Sequence, residues 1–385
     1  MRVRRRILVL WLCAIGSLVA AAVFCWRFVW PMMQVRRALE HAKSEAGPKT
    51  GQRSFRRSSQ VRVVLKRLGG PDEAGSKVAF YLRLPSDWVP HRPLAMAVLG
   101  QTRVSSRAQV YASLLGDPEV KVRREAAYQL SRLKKLAWPA TRNLANALGD
   151  KDASVRTSAA SALGGIGPRA KESIPALEKV LSDPVPSVRE SAAAALGSMG
   201  PDARTSIPAL KKALHDSSET VQFTCACCLL ALGEKPEPLS VLEKLLSSQQ
   251  THIQFAAANT LIKAEAGHKQ AIAVLVQALA SDGSNGTRRL ALFHIRDLGS
   301  RAVWALPRVA AILGSPEMSA RANAVRCMGS MGSAASKYVP NLMELAEKDT
   351  SADVRQAARE ALEKIKKAQQ EKQAKDKQPV EAPAK

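Results

Sequence analysis

Residues 150–168, DKDASVRTSAASALGGIGP, and residues 183–201, DPVPSVRESAAAALGSMGP, are two copies of one pattern set 33 residues apart. Each copy contains an aspartate, an arginine six residues later, a pair of alanines, a Leu-Gly step and a Gly-Pro ending. A fixed period of this length is typical of stacked supersecondary units that cannot bury their apolar faces alone. The pattern therefore predicts a repeat protein, which grows by adding units.

The arginine position can be followed through most of the chain, at intervals of 30 to 34 residues. It is occupied by Arg62, Arg92, Arg123, Arg156, Arg189, Gln222, Gln254, Arg288, Arg321 and Arg355. The repeats are therefore predicted to cover residues 58–366, with a last unit that ends after one helix.

Each repeat is predicted to contain two helices. Apolar residues recur at three- and four-residue steps around the arginine position, which predicts a first helix with one buried face. In five repeats a glycine stands eleven residues after the arginine position, where it can end the helix in a left-handed conformation: Gly167, Gly200, Gly233, Gly299 and Gly332. A proline then favours the first turn of the second helix. These prolines are Pro139, Pro175, Pro208, Pro307 and Pro340.

The spacing and the paired alanines resemble the short HEAT repeat of the phycobilin lyase subunits. This resemblance covers about 300 of the 385 residues. It implies an all-α fold, a right-handed α-solenoid of about nine to ten helix pairs, with the second helices on the concave side. We expect a scaffold that binds other proteins through this curved surface, because lyase activity does not follow from a shared repeat fold.

The N-terminus contains a candidate membrane anchor. Residues 7–26 carry no charged side chain, and twenty helical residues span about 30 Å, the thickness of a bilayer core. Arginines within residues 1–6 favour a cytoplasmic N-terminus. We therefore expect a single-pass transmembrane helix with the solenoid outside the cytoplasm. The alternative is a cleaved signal peptide and a secreted protein, although the apolar run is long for one.

Two further segments and the charge complete the organisation. Residues 27–57 are expected to be a juxtamembrane linker, and the Lys/Gln/Pro-rich residues 367–385 a disordered tail. Of the net charge of +25, residues 1–70 supply +13, where basic side chains can contact anionic headgroups or remain solvated. The remaining +12 is spread over 315 residues, which does not favour nucleic-acid binding, the second alternative function.

The most repetitive polar feature is an aspartate six residues before the arginine position. The pairs are Asp117 and Arg123, Asp150 and Arg156, Asp183 and Arg189, Asp282 and Arg288, and Asp349 and Arg355. We expect a structural ladder in which the aspartate accepts from free helix N–H groups and the arginine bridges to a carboxylate of a neighbouring unit. An anion-binding stripe is the alternative.

Three aromatic residues are candidates for partner binding. The ladder fails at Gln222 and Gln254, and each glutamine is followed by a phenylalanine, Phe223 or Phe255, in a usually polar position. These rings form either a contact patch or the repacked core of a joint without an ion pair, and we favour repacking. Trp304 is expected to be partly exposed, which would suit a binding hot spot.

No pattern of catalytic or metal-binding residues stands out. The phosphate-loop, nucleophile-elbow and His-Glu-x-x-His motifs are absent from the sequence. Four cysteines occupy positions that suit small buried side chains and have no metal-site spacing: Cys225, Cys227, Cys228 and Cys327. We therefore expect no enzymatic activity, cofactor, metal or small-molecule substrate. A bound chromophore would instead favour a lyase-like accessory subunit.

Overall fold

A computed structural model describes residues 33–38, 78, 107–265, 267–280 and 285–376. All regular structure within these ranges is helical. The chain divides into two compact units, Met1–Leu210 and Lys211–Lys385.

The predicted membrane helix at residues 7–26 and nearly all of the first two repeats lie outside the described residues. Of the predicted linker at 27–57, only residues 33–38 are described, and they are helical. Among the residues that the structure describes, no helix is both long enough and apolar enough to cross a bilayer.

The first unit contains regular repeats in which two α-helices flank a short 3-10 helix. Its elements are α1 (Arg107–Leu114), α2 (Val120–Leu133), η1 (Lys134–Ala140), α3 (Thr141–Ala147), α4 (Ala153–Ile166), η2 (Gly167–Ser173), α5 (Ile174–Val180), α6 (Pro186–Ser198), η3 (Gly200–Ser206) and the start of α7 (Ile207–Ala213), which contains the boundary between the units.

Each seven-residue 3-10 helix begins where the sequence predicts the end of the first helix. Gly167 and Gly200 have φ values of +73° and +62°, a conformation that glycine adopts without a Cβ clash. Pro168 and Pro201 follow in the first 3-10 turn. The glycine and proline positions thus mark real boundaries, but the sequence does not predict the 3-10 helix between them, because so short a segment has no period to detect.

Small residues allow consecutive first helices to pack closely. Ala159 and Ala160 of α4, and Ala192 and Ala193 of α6, are fully buried. Between these helices, a Cβ atom added at Gly164 would lie 3.0 Å from the Cα atom of Ala195. The backbones therefore approach so closely that an alanine at position 164 would require a shift of a few tenths of an ångström.

The second unit continues through α8 (Glu219–Ala231), α9 (Glu237–Leu245), α10 (Thr251–Ala264), α11 (Lys269–Ala278), α12 (Asn285–Leu298), η4 (Gly299–Ala305), α13 (Leu306–Ile312), α14 (Met318–Ser330), η5 (Gly332–Tyr338), α15 (Val339–Lys348) and α16 (Ala352–Asp376). The repeats that begin at α8 and α10 are irregular, because their described residues contain no 3-10 helix. Their second helices have 9 and 10 residues, against 7 in α5.

The last helix extends beyond the predicted end of the repeats. α16 has 25 residues and reaches Asp376, so residues 367–376 are helical where we expected a disordered tail. Ile365 is buried, and the Gln369 amide donates to the Ser336 hydroxyl of η5 at 2.7 Å. This packing, together with the helix-favouring Lys, Gln and Ala residues, explains the extension.

Candidate interaction surface and the joints between repeats

Arginines join consecutive repeats through paired hydrogen bonds to an aspartate of the next repeat. Arg123 donates from Nε to Asp150 at 2.7 Å and from Nη2 at 3.1 Å. Arg156 does the same to Asp183, at 2.7 and 2.9 Å. The arginine therefore reaches forward by 27 residues, and the fork of its guanidinium matches the carboxylate.

Each joint also uses backbone groups. Arg156 Nη1 donates to the carbonyl of Asp150 at 2.8 Å, six residues earlier in its own repeat. The Asp183 carboxylate accepts from the Val185 N–H at 2.9 Å. One arginine thus connects the turn before its own helix to the turn before the next helix.

The electrostatics of the joint follow from this geometry. Burial opposes ionisation of Asp183, but hydrogen bonds from Arg156 and the Val185 N–H, with the charges of Arg156 and Arg189, hold its pKa below the usual value. At Asp349 the hydrogen bond from Arg321 is the largest influence and also lowers the pKa. Both carboxylates are therefore ionised at neutral pH.

The other predicted ladder residues occupy equivalent places. Arg189 and Arg355 donate to the carbonyls of Asp183 and Asp349 at 2.7 and 2.6 Å. The Asp117 carboxylate accepts from the Glu119 N–H at 2.9 Å. Arg288 donates to the carbonyl of Ala280 at 3.1 Å, whereas Asp282 lies outside the described residues.

Arg321 belongs to the same ladder, although the sequence pattern did not place it there. It binds Asp349 through Nε at 2.7 Å and Nη2 at 2.8 Å. Its own repeat has Ser315 in the aspartate position, and the Ser315 carbonyl accepts from Arg321 Nη1 at 2.9 Å. The sequence did contain a signal for this pair, because Arg321 occupies the recurring arginine position and Asp349 stands in the aspartate position of the next repeat.

The two irregular repeats keep the backbone contact without the guanidinium. Gln222 donates to the carbonyl of Asp216 at 2.6 Å, and Gln254 donates to the carbonyl of Leu246 at 2.8 Å. Ser248 stands in the aspartate position, and its hydroxyl donates to the Glu219 carboxylate at 2.5 Å.

The three predicted binding residues differ in accessibility. Phe255 is 2% exposed and makes an edge contact with His294, with ring centroids 6.4 Å apart; it is core. Phe223 is half-buried. Trp304 is also half-buried, and its buried indole N–H has no hydrogen-bond partner among the described residues. None of the three is a large exposed surface group.

A polar cluster lies between α10 and α12. Asn259 donates to Asp297 at 2.9 Å and lies 3.3 Å from His294 Nδ1, while Lys263 forms an ion pair with Asp297. Burial lowers the pKa of His294, as does the charge of Lys263, although Asp297 acts in the opposite direction. His294 is therefore neutral at physiological pH, and in this arrangement its Nδ1 is the acceptor.

The cysteines pack as small apolar side chains. Cys225, Cys228 and Cys327 are buried, and burial raises the pKa of each thiol to about 12. Within the described ranges, no group of three or more His, Cys, Asp or Glu side chains could hold a metal ion.

The first unit carries an exposed surface that combines apolar and basic side chains. On η1, Leu136 is 71% exposed and Trp138 is 51% exposed. The guanidinium of Arg169, from η2, lies 5.1 Å from the centre of the Trp138 ring. We call this surface the basic ledge and define it by Lys134, Lys135, Leu136, Trp138, Arg169 and Lys171.

The sequence pattern does not predict the basic ledge. Trp138 precedes Pro139, and the residues before the corresponding prolines include Ile174 and Leu306, which are buried. The exposure of Trp138 was therefore not evident from its position. The only signal available was the run of Lys134, Lys135 and Leu136 beside a tryptophan.

Comparison with known proteins identifies the repeat. The model of HEAT repeats matches residues 141–229, 207–296 and 272–363, which together cover more than half of the chain. Among curated proteins, none matches.

Solved structures are similar to this chain at low identity. Importin beta is 17% identical with a TM-score of 0.53, and the match covers 89% of this chain and 52% of importin beta. The CpcE and CpcF complex of phycocyanin lyase from Nostoc sp. PCC7120 is 21% identical with a TM-score of 0.44, covering 67% of this chain and 94% of that chain. An engineered protein is 23% identical with a TM-score of 0.39, covering 87% and 96%. On the family match and the stacked helix pairs, this chain belongs to the HEAT-repeat family.

Proposed function

We propose that this protein is a membrane-anchored scaffold that binds other proteins through the surface of its stacked HEAT repeats, without chemistry of its own. The observation that carries protein binding is the exposure of Leu136 and Trp138 on η1. Large apolar side chains exposed side by side on a rigid element are typical of interface anchors. HEAT-type arrays commonly present such surfaces.

The polar residues of the described region support a binding role over catalysis. The arginines of the joints donate to the aspartates and to backbone carbonyls, and the aspartates also accept from backbone N–H groups. The Cys225 and Cys228 thiols are buried and protonated at neutral pH, so they are poor nucleophiles. These groups hold the helices in place.

The test of protein binding compares variants in cells of the source organism. Proximity labelling with the full chain should identify neighbours whose labelling falls in a Leu136→Ser, Trp138→Ser variant. Met343, which is 51% exposed on α15, provides the matched control as Met343→Ser. A purified neighbour should then bind the double variant at least tenfold more weakly. Equal affinity for the wild type and the double variant would exclude this surface.

Membrane anchoring is proposed from residues 7–26, with the N-terminus in the cytoplasm and the repeats outside it. The uncharged run and the arginines before it support this topology. Carbonate-washed membranes should retain the full-length chain, and a reporter at the C-terminus should be active only outside the cytoplasm. Release of a shortened chain by the wash would support cleavage of a signal peptide instead.

A further inference from the structure

The basic ledge carries a net positive charge. Lys134 and Lys135 of η1, with Arg169 and Lys171 of η2, provide four positive charges, and Glu172 is the one acidic residue in these two segments. All four basic side chains are exposed, and none forms an ion pair with another described residue. Elsewhere in the first unit, Arg123, Arg124 and Arg156 are each paired with an aspartate.

The position of Arg169 is already set. Its guanidinium lies over the indole of Trp138, 5.1 Å from the ring centre, and a cation–π contact of this kind orients the side chain. No described carboxylate or carbonyl accepts from its N–H groups. A guanidinium held in this way can receive a carboxylate through two parallel hydrogen bonds.

The backbone of the ledge is unusual as well. Lys134 has a φ of +49°, the one residue other than glycine with a positive φ in the described part of the chain. The other four 3-10 helices begin with glycine at this position: Gly167, Gly200, Gly299 and Gly332. A lysine here strains the backbone and adds a positive charge to the ledge.

Building on the proposed scaffold function, we propose that the basic ledge is the docking site for an acidic segment of a partner protein. An apolar side chain of that segment packs against Leu136 and Trp138, and flanking aspartates or glutamates bind Lys135 and Arg169. Charge complementarity favours this occupant, because the ledge offers unpaired cations around an apolar centre.

An anionic membrane surface offers the same charge but fits the geometry less well. Arg169 covers one face of the Trp138 ring, and about half of the side chain is buried, so the indole is not free to insert between headgroups. The next 3-10 helix, η3, carries Asp202 and Arg204 and is neutral. A lipid-binding face would be expected to continue its positive charge along the row.

The experiment selects ligands from a displayed library of random 12-residue peptides against the full chain in phosphatidylcholine nanodiscs. We expect selected peptides with two or more acidic residues beside an apolar one, and a loss of affinity of at least tenfold with Arg169→Glu or Trp138→Ser. Lys135→Glu provides a second charge reversal. Lys337→Glu, an exposed lysine of η5, is the control and should leave affinity unchanged.

Other outcomes would overturn the proposal. Selected peptides without acidic enrichment, or equal binding by the Arg169→Glu and Lys337→Glu variants, would exclude an acidic ligand at the ledge. Charge-dependent binding to phosphatidylserine vesicles without peptide selection would assign the ledge to the membrane. If partner labelling still depends on Leu136 and Trp138 while acidic peptides fail to bind, the scaffold function survives and only the acidic specificity is wrong.

Discussion

The regular repeats of the first unit and the irregular repeats at residues 219–278 solve the same packing problem differently. Residues 153–206 use a 3-10 helix in each repeat and an arginine that binds the next aspartate. The irregular repeats have glutamine, and Phe255 is buried in one of their joints. Both kinds of repeat retain one contact, in which a side-chain N–H donates to a backbone carbonyl before the first helix. The ion pair is therefore replaceable, whereas this hydrogen bond is kept.

The largest expected effect concerns the aromatic joint. Phe255→Ala should destabilise the second unit by about 3–5 kcal/mol, because it leaves a cavity at a fully buried ring. Phe223→Ala is the control, because removal of this half-buried ring should reduce the stability distinctly less. Hydrogen exchange of the full chain, resolved by segment, measures the loss in α10 and α12. Equal losses for the two variants would contradict the core assignment of Phe255.

The ion-paired joint should respond next. Arg156 and Asp183 are 12% and 7% exposed, so Arg156→Ala leaves a nearly buried carboxylate without its partner and should cost about 2–4 kcal/mol. Arg156→Gln can keep the donation to the Asp150 carbonyl, as Gln222 does at its own joint. We expect it to cost about half as much. If both substitutions are equally harmful in denaturant titration, the shared carbonyl contact contributes little.

The regular and irregular repeats also differ in the residues at the contact between consecutive first helices, which we call the seam. In the irregular repeats, Leu230 and Ile262 stand where the regular repeat has Gly164. An alanine at Gly164 would meet the Cα atom of Ala195 at 3.0 Å, so Gly164→Ala should cost about 1–3 kcal/mol through overpacking. The matched control is Gly116→Ala in the same unit, where nothing lies within 4 Å of the added methyl group. If the two variants have the same melting temperature in thermal unfolding, the backbones at the seam can move apart to accept the methyl group.

Lys134 tests whether the glycine position of the regular repeat is itself a stability requirement. Lys134→Gly should stabilise the first unit by about 1 kcal/mol, since it relieves a positive φ value, even though glycine adds freedom to the unfolded chain. Lys135→Gly, the adjacent exposed lysine, should not stabilise. An unchanged or lower melting temperature for Lys134→Gly would show that the left-handed geometry costs little here.

The repeat architecture could be predicted from the sequence because the residues that begin and end each helix are recognisable locally. Gly167 ends a first helix and Pro175 begins a second, and each can be recognised from spacing alone. Burial depends on the next repeat, which spacing does not describe. Trp138 is exposed where Ile174 is buried, and Phe255 is buried where Phe223 is only half-buried. The pairing of Arg321 with Asp349 likewise requires knowing that the arginine reaches forward.

The smallest expected effect is on the pH dependence of stability, which should differ between the polar cluster around His294 and the ion-paired joints. The folded-state pKa of His294 lies below its unfolded value of about 6.5, so the unfolded chain binds the proton first as pH falls. Stability of the second unit should therefore decrease from about pH 6.5 downwards, until His294 is protonated in the folded state too.

The Asp150 and Asp183 joints respond to pH in a lower range. Their pKa values are lowered, so their contribution is complete above about pH 4 and is lost only below it. Between pH 7.5 and 5.5, the amide protection factors, which are corrected for the pH dependence of the intrinsic exchange rate, should fall in α10 and α12 but not in α4 and α6. His294→Phe should abolish that fall, because the ring it leaves beside Asn259 cannot take up a proton. If the loss of protection persists in this variant, another group in the polar cluster controls it.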